Sequence, residues 1–314
     1  MEGDCAAASA PREDRLVGLA GERVRAAKEF SGEVVACDST QLYRGFDIGT
    51  AKASFSERQE VPHHLLDVLD ASEPSTAGGY RERALAVLND LRARSKLPVL
   101  TVGTGLYLRA LLEGLADLPE RCEEIRHRLR ASAAEHGAAH LHKMLQHLDP
   151  QAARQIAAAD EQKLIRAIEI CLLSGKPLTE VHRAGRNPLT GWRVAKLGLA
   201  PPREALYEQI HQRTDVMLRA GWLDEVRRLV ACGLSENAKP FDFIGYRELR
   251  FHLRGEITFE AARAAVQQAT RNYAKRQLTW FRREPNVHWL ASFGDSPQTQ
   301  SDARSWLLQV FSLR

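Results

Sequence analysis

The sequence lacks several features that would assign it to a specialised class of protein. Its five cysteines form no C-x-x-C pair, so neither a zinc ribbon nor a disulfide framework is indicated. No apolar run reaches the ~18 residues that a membrane-spanning helix needs. The net charge of +4 over 314 residues is small, and charge alone neither requires nor excludes a polyanionic partner. With 44% hydrophobic and 27% charged residues, the composition is ordinary for a globular protein.

The amino-terminal stretch MEGDCAAASAPRED has neither the basic start nor the apolar centre of a signal peptide. We therefore expect a disordered leader, and a cytoplasmic protein whose thiols are reduced. The adjacent His63 and His64 have no cysteine or carboxylate spacing that would make a metal site, so a structural role is expected for them.

Two short apolar runs that end in polar residues predict buried parallel strands. The first covers residues 33–38 and runs into Asp38 and Ser39, and the second covers residues 97–102 and runs into Gly103-Thr104-Gly105. A helical pattern lies between them. Strand, helix and strand over this distance favour a parallel pair with a right-handed crossover. We therefore expect Asp38 and Thr104 at equivalent ends of neighbouring strands.

The remainder of the chain predicts a parallel α/β core that is interrupted by an all-helical insertion. The predicted ranges are helices over residues 119–181, a strand at 193–199, helices at 204–218, 223–231 and 258–283, a strand at 287–290, and then a mostly polar tail. Gly175 and Pro177 mark one helix end, and Thr258 is a suitable N-cap. The predicted domains are a first core part at 32–118, the insertion at 119–190, and a second core part with carboxyl-terminal helices at 191–314.

The residues at the two strand ends each allow two interpretations. Gly103-Thr104-Gly105 opens a helix, where backbone amides and the helix dipole suit an anion, but the same residues could form only a tight turn. Asp38 could be a general base, or it could cap a turn or helix. Neither motif decides the question alone.

A basic helix near the carboxyl terminus also allows two interpretations. It carries Arg271, Lys275, Arg276, Arg282 and Arg283, with aromatic residues interleaved. Such residues can contact phosphates and stack on unpaired bases. A solvated helix face with its aromatic residues in the core is the alternative.

Seven motifs in order along the chain together resemble one family, the tRNA dimethylallyltransferases or tRNA isopentenyltransferases. They are DSTQLYRGFDIGTAK at 38–52, PHHLLD at 62–67, GTGLY at 103–107, DEQKLIRAIE at 160–169, RTDVMLRAGWLDEV at 213–226, IGYREL at 244–249 and TRNYAKRQLTWFR at 270–282. The resemblance covers nearly all of the chain from about residue 32 to residue 290. A set of this length and order is far more specific than any one motif.

The resemblance implies an α/β fold with a P-loop-NTPase-like parallel sheet and an all-helical insertion domain. It implies a prenyltransferase that moves a dimethylallyl group from dimethylallyl diphosphate, with Mg²⁺, to N6 of the adenosine 3′ of the anticodon in tRNAs reading codons that begin with U. The implied partners are the diphosphate and the tRNA anticodon stem-loop, with no membrane. A bacterial cytoplasm is expected, because no Cys/His extension follows Trp289 as in the eukaryotic zinc-finger version. A monomer is also expected.

The resemblance also assigns roles to individual residues. Asp38 matches the general base, Thr104 matches the residue beside the diphosphate and the reacting centre, and Arg213 matches an arginine that holds the diphosphate. Contacts with the target nucleotide or the tRNA are implied for Ser39, Thr40 and Gln41, for Arg126, Gln162, Lys163, Leu164, Ile165 and Arg166 in the insertion, and for Phe243, Ile244, Gly245, Tyr246, Arg247 and Glu248.

The chemistry of these residues agrees with that activity. The amine of adenine is a poor nucleophile, so a positioned carboxylate base helps it attack. The diphosphate that leaves must meet positive charge and N–H donors. A target base must also leave its stack to reach a pocket.

One motif of the family has no counterpart in the sequence. The family's G-x-x-x-x-G-K-[ST] loop is expected near residues 13–20, which read EDRLVGLA, and no segment of the chain matches it. We therefore expect residues 1–31 to form an atypical leader and helix, and the core to lack its first strand. Two explanations remain open: a misassigned or truncated start, or a catalytically impaired member that still binds tRNA. A nucleotide kinase with the same core is a weaker third possibility, since it too needs the loop.

Overall fold

The computed structural model describes residues 14–19, 27–116, 118–183 and 186–311. Six strands form one parallel sheet in the order β3-β2-β4-β1-β5-β6. The strands are β1 Asp14–Leu19, β2 Gly32–Cys37, β3 His63–His64, β4 Leu97–Val102, β5 Trp192–Leu199 and β6 Val287–Leu290. The parallel α/β core predicted from the sequence is confirmed.

Residues 27–29 are helical, and thirteen further α-helices lie within the described ranges. They are α1 Phe55–Glu60, α2 Ala77–Ala93, α3 Gly105–Glu113, α4 Glu123–His136, α5 Ala138–Leu148, α6 Pro150–Gln155, α7 Glu161–Ser174, α8 Leu178–Arg183, α9 Arg203–Arg219, α10 Trp222–Ala231, α11 Tyr246–Leu253, α12 Phe259–Phe281 and α13 Pro297–Phe311. A 3₁₀ turn, Lys239–Asp242, precedes α11. The predicted strands at 193–199 and 287–290 and the three predicted long helices are each found within a few residues.

The helix boundaries follow the capping signals of the sequence. The Thr258 hydroxyl accepts a hydrogen bond from the Ala261 amide and caps α12, as predicted. The Gly175 backbone is left-handed, with φ of 66°, and ends α7 two residues before Pro177. These signals are local, and this explains why the sequence predicts them well.

The expectation for the first 31 residues is wrong in one respect, because a core strand lies there. Strand β1 pairs in parallel with β4 on one side and with β5 on the other, so it occupies the interior of the sheet. Its short run begins with two charged residues, and its partners lie far along the chain, so no local pattern identifies it. Most of the range in which the family's loop was expected is therefore strand, and the segment that follows β1, residues 20–26, lies outside the described residues.

The expected polar tail is also wrong. Residues 297–311 form helix α13, whose Leu307 and Phe311 are buried against strand β5 residues Ala195 and Leu197. Ala303, Trp306 and Val310 of the helix pack against the same core. The first half of the helix is mostly polar, so the sequence there resembles that of a polar segment.

The chain divides into two compact units. The first combines the segments Met1–Leu111 and Thr190–Arg314 and contains the sheet. The second, Leu112–Leu189, is helical throughout its described part, and helices α4 to α8 pack around residues such as Leu141, Leu145 and Ile168. Each unit therefore has an apolar core of its own.

Candidate active site

Two turns at the carboxyl ends of β2 and β4 are hydrogen-bonded to each other. Cys37 lies opposite Val102 in the sheet, and its carbonyl oxygen accepts from the Gly103 and Thr104 amides at 3.1 and 3.0 Å. The Ser39 amide donates to the Thr104 hydroxyl at 3.0 Å, which in turn donates to the Ser39 hydroxyl at 3.2 Å. Carboxyl ends of parallel strands are where α/β proteins bind ligands. The two candidate residues, Asp38 and Thr104, therefore belong to one site.

The Asp38 carboxylate is held by neutral donors. Its Oδ1 accepts from the Thr40 amide at 2.8 Å and from the Thr40 hydroxyl at 2.6 Å. Its Oδ2 lies against Gly103, where an added Cβ would stand only 1.9 Å away. In the described ranges no lysine or arginine pairs with this carboxylate. One oxygen of the carboxylate is therefore fixed by hydrogen bonds. The other oxygen occupies the space that Gly103 leaves because it has no side chain.

Helix α12 packs on the turn that carries Thr104. The Tyr273 hydroxyl and the Gln277 side-chain amide both donate to the Gly103 carbonyl oxygen, at 2.8 and 2.9 Å. Burial raises the pKa of Tyr273, which keeps this donor protonated. The Trp280 indole nitrogen lies where a Cβ on Gly105 would stand, and its buried N–H has no hydrogen-bond partner among the described residues. The motif at 270–282 and the Gly-Thr-Gly motif are therefore in direct contact.

A cavity of about 470 Å³ with cationic walls lies beside α12 and includes Trp280 in its lining. It is lined by Arg109, Asn272, Lys275, Arg276, Thr279, Trp280 and Arg283. The Arg109 guanidinium stacks over the Trp280 ring, 4.7 Å from its centre. Four of the seven lining residues are cations and none is acidic, so the cavity suits an anion. Lys275, Arg276 and Arg283 of the basic helix therefore line a cavity, whereas Tyr273 and Trp280 pack against the Gly-Thr-Gly turn.

The comparisons with known proteins match this arrangement. The model of the IPP transferase family matches residues 41–284. This chain belongs to the IPP transferase family. It is 50% identical to a tRNA dimethylallyltransferase of Koribacter versatilis over 88% of this chain and 90% of the relative, and 47% identical to one of Solibacter usitatus over the same shares.

Solved structures of IPP transferases have the same fold. A tRNA isopentenylpyrophosphate transferase of Bacillus halodurans is 32% identical, with a TM-score of 0.69 over 96% of this chain and 97% of that one. A eukaryotic dimethylallyltransferase acting on tRNA has a TM-score of 0.80 over 94% of this chain and 78% of that one, but at 23% identity it shows likeness of fold alone. The predicted fold class and family are therefore confirmed.

The three predicted contact residues in the loop after Asp38 of this IPP transferase differ in burial. Ser39 and Thr40 are half-buried beside the two turns. Gln41 is buried, and its side-chain amide donates to the Thr50 carbonyl oxygen at 3.0 Å. The Gln41 amide group thus holds the following loop in place, and only its side-chain oxygen remains for another partner.

A buried carboxylate fixes that following loop. Glu225, on α10, accepts from the Asp47 and Ile48 amides at 3.2 and 2.9 Å and from the Tyr246 hydroxyl at 2.6 Å. The Tyr246 oxygen in turn accepts from the Gly49 amide at 3.1 Å. Residues of three of the seven family motifs meet at this carboxylate. Some residues of these motifs therefore have a structural role.

The predicted contact segment at 243–248 is divided by its burial. Gly245, Tyr246 and Glu248 are buried, and the Glu248 carboxylate accepts from the Gly245 amide at 2.7 Å to start α11. Phe243 and Ile244 are half-buried and Arg247 is exposed. Only these last three present appreciable side-chain surface to a ligand.

The predicted contact residues of the insertion also divide into buried and exposed ones. Leu164 and Ile165 lie in the helical core with 0% and 2% of their surface exposed, whereas Gln162 and Lys163 are exposed. Arg166 and Arg126 are half-buried. Side chains of the two core residues therefore hold the insertion together, and the polar ones can meet a ligand.

The remaining predictions concern Arg213, a metal and a membrane. Arg213 lies on α9 with its side chain exposed. In the described ranges no three His, Cys, Asp or Glu residues are grouped as a metal site, and no helix is both long and apolar enough to span a membrane. The oxygen donors of Asp38, Ser39 and Thr104 suit Mg²⁺, an ion that proteins often bind through one or two carboxylates and substrate phosphates.

Three residues of the site were missed from the sequence. Gln277 lies one helical turn beyond Tyr273, and this spacing could have placed both on one face of the helix. Arg109 follows Thr104 by five residues on α3, and Glu225 lies in a motif whose spacing was noted without a role. Gln277 contacts Gly103 and Glu225 contacts the Asp47 and Ile48 amides across more than 170 residues, so no local pattern predicts these pairings.

Proposed function

We propose that this chain transfers a dimethylallyl group from dimethylallyl diphosphate to N6 of the adenosine 3′ of a tRNA anticodon. The observation that carries the proposal is the joint placement of Asp38 and Thr104 at two hydrogen-bonded strand ends, in a chain of the IPP transferase family. The relatives named tRNA dimethylallyltransferases give the reaction class.

Asp38 is the base in this proposal. Its carboxylate has neutral hydrogen-bond donors and no pairing cation among the described residues, so it keeps the capacity to accept a proton. As the adenine amine attacks the prenyl carbon, the carboxylate takes the proton from nitrogen, and the bond from carbon to the diphosphate oxygen breaks. General bases of this kind contribute about 10²–10⁴ in rate.

The leaving diphosphate needs donors and positive charge. We assign the Thr104 hydroxyl, the first-turn amides of α3 and Arg213 to this role. The cationic cavity offers a further phosphate-binding surface, because Arg109, Lys275, Arg276 and Arg283 line it together. Mg²⁺ would neutralise part of the diphosphate charge when bound.

The RNA contacts of the proposal come from side chains with available surface. They are Ser39 and Thr40 near the target nucleotide, Phe243, Ile244 and Arg247 before and on α11, and Arg126, Gln162, Lys163 and Arg166 in the insertion at 119–190. The buried Gln41 is assigned its side-chain oxygen alone as a contact. We propose that the insertion grips the anticodon stem-loop, and that the protein acts as a monomer in the cytoplasm. Guanidinium and amide groups are common partners of RNA phosphates and base edges.

A second candidate function is tRNA binding without catalysis. The observation that favours it is that no part of the sequence matches G-x-x-x-x-G-K-[ST], the loop that would cradle phosphates. The two candidates share the same RNA surface and differ only in turnover.

The experiment is a transfer assay with the full chain, labelled dimethylallyl diphosphate, Mg²⁺ and an anticodon stem-loop RNA with adenosine 3′ of the anticodon. We expect a prenylated adenosine in the RNA after digestion and mass spectrometry, and none when guanosine replaces that adenosine. An RNA that binds and is not modified would leave the second candidate. An RNA that does not bind would refute both.

A further inference from the structure

Glu169 is a carboxylate with 0% of its surface exposed, and it stands between two arginines of the insertion. Its Oε2 accepts from Arg166 Nη1 at 2.7 Å and from Arg126 Nη1 at 3.3 Å. Its Oε1 accepts from the Cys122 amide at 2.8 Å, at the start of α4. One buried anion therefore joins cations from α4 and α7.

The ionised form of Glu169 is maintained by these partners. Burial by itself would raise the pKa of the carboxyl, but hydrogen bonds from Arg166 and the Cys122 amide, with the charges of both arginines, outweigh it and lower the pKa. A buried carboxylate without such partners would take up a proton. Glu169 thus carries a fixed negative charge at neutral pH.

The two arginines are restrained and still accessible. Arg166 Nη2 also donates to the Pro119 carbonyl oxygen at 3.0 Å, so its guanidinium is fixed on two sides. The side chains of Arg126 and Arg166 are 14% and 28% exposed. A guanidinium has five N–H donors, so each keeps donors for a ligand.

Other cations of the insertion lack this restraint. The side chains of Lys163 and Arg130 are 71% and 50% exposed, and each pairs with a carboxylate that is itself at least partly exposed. Such residues attract any polyanion but must be ordered when it binds, at a cost in side-chain entropy. The Arg166 guanidinium, hydrogen-bonded on two sides, has already lost most of that freedom, and Arg126, which pairs with Glu169 and with the exposed Glu123, has lost part of it.

We propose that Glu169 is a positioning residue that orients Arg126 and Arg166 together, so that the insertion recognises phosphates at the fixed spacing of a folded RNA rather than any polyanion. This inference rests on the proposed function, because it takes the two arginines to contact the stem-loop. Glu169 itself, fully buried, makes no contact with the RNA.

The test compares two RNAs of equal length and charge, an anticodon stem-loop and an unstructured oligonucleotide, bound to the full chain. In Glu169→Gln the side chain keeps its shape, loses its charge and presents an amide to the arginines. We expect stem-loop affinity to fall at least about tenfold. Affinity for the unstructured RNA should stay constant or rise, because the protein gains one net positive charge.

The matched control is Asp149→Asn. Asp149 is also a buried carboxylate of the insertion, with 1% of its surface exposed. It accepts from the backbone amides of Gln151, Ala152 and Thr179 and from the Thr179 side chain, all of them neutral donors. We expect this change to lower the melting temperature and to leave the ratio of the two affinities unchanged. A purely structural role of Glu169 would give the same result as this control.

A double-mutant cycle tests whether Glu169 acts through the arginines. In a background with Arg126→Gln and Arg166→Gln, adding Glu169→Gln should cause no further loss of stem-loop affinity. Should Glu169→Gln fail to fold, Arg166→Lys gives the same information, since it keeps the charge and loses the planar fork. It should lower stem-loop affinity and leave the unstructured RNA unaffected.

Two results would overturn the inference alone: a parallel loss for both RNAs in Glu169→Gln, or an unchanged ratio in Arg166→Lys. A wild-type chain that binds the two RNAs equally would refute the recognition part of the proposed function together with this inference.

Discussion

Strand β2 carries one carboxylate at each end, and the two have opposite surroundings. Glu33, at its start, is 5% exposed and receives two hydrogen bonds from the Arg94 guanidinium, at 2.5 and 3.0 Å, and is 2.7 Å from His64 Nε2. Asp38, just past its end, receives hydrogen bonds only from the amide and hydroxyl of Thr40. One anion is neutralised by side-chain cations, and the other is not.

The difference separates a structural carboxylate from a reactive one. The Arg94 guanidinium is the main cause that lowers the pKa of Glu33 from 4.5 to about 2, so this group stays ionised and cannot exchange a proton near neutral pH. Asp38 has neutral donors, and its Oδ2 lies in the space that Gly103 leaves. A base needs a carboxylate that no cation neutralises, whereas a structural anion is stabilised by the cations that pair with it.

The largest effect is expected for a substitution of Asp38, the reactive carboxylate just past the end of β2. Asp38→Asn keeps the size of the side chain and removes the base, so single-turnover prenyl transfer should fall by about 10²–10⁴. Binding of the stem-loop RNA should change little, because most of the proposed RNA contacts come from other side chains, on α11 and in the insertion. A rapid-quench assay and a binding titration measure the two quantities. If both fall equally, Asp38 serves binding and is not the base.

The next effect tests the space beside Asp38. Gly103→Ala would place a Cβ 1.9 Å from Asp38 Oδ2, so the carboxylate must move. Because misplacement by about 1 Å can cost 10²-fold, we expect a turnover loss of about that size with the fold retained. Gly78→Ala on α2 is the matched control, since no atom lies within 4 Å of its added Cβ. Full activity in Gly103→Ala would show that the carboxylate position is not critical.

A smaller effect is expected at the structural end. Glu33→Gln removes the charge that Arg94 and His64 share, and the free energy of unfolding should fall by about 1.5–3 kcal/mol, as for hydrogen bonds to charged groups. The lower part of this range applies because the Arg94 side chain is 41% exposed. Turnover of the folded protein should equal that of the wild type. A loss of turnover without a loss of stability would contradict the assignment.

The sequence predicts the position of Asp38 better than it predicts the residues that hold the following loop in place. The buried run that ends at Asp38 and the Gly-Thr-Gly turn after β4 are local patterns, and the rule for parallel crossovers then brings them together. The Glu225 carboxylate that fixes the Asp47 and Ile48 amides lies 178 and 177 residues away from them. No periodicity or capping signal connects residues that far apart.

The same distinction explains the two wrong expectations about the fold. Strand β1 is short and is placed by pairing with β4 and β5, and helix α13 is placed by Leu307 and Phe311 against the sheet. Both depend on tertiary partners rather than on their own periodicity. The burial of Gln41, Leu164 and Ile165 belongs to this class too, since a motif match cannot tell a ligand contact from a core residue.

The smallest effect is expected in the pH dependence of stability, to which Glu33 contributes. The folded pKa of Glu33, about 2, lies below its ordinary value of 4.5. Below pH 4.5 the unfolded chain therefore binds more protons than the folded one. The stability that Glu33 contributes is complete above pH 4.5 and is lost as the pH falls toward 2.

Other carboxyls with lowered pKa, among them Asp67 and Asp149, make every variant less stable in acid. The difference between wild type and Glu33→Gln isolates the one group. Between pH 4.5 and 3.5, urea unfolding should show the wild type losing more stability than the variant, by about 1 kcal/mol per pH unit and at most about 1.4. Parallel pH dependences would mean that Arg94 does not hold the Glu33 charge in solution, and the contrast between the two ends of β2 would then rest on geometry alone.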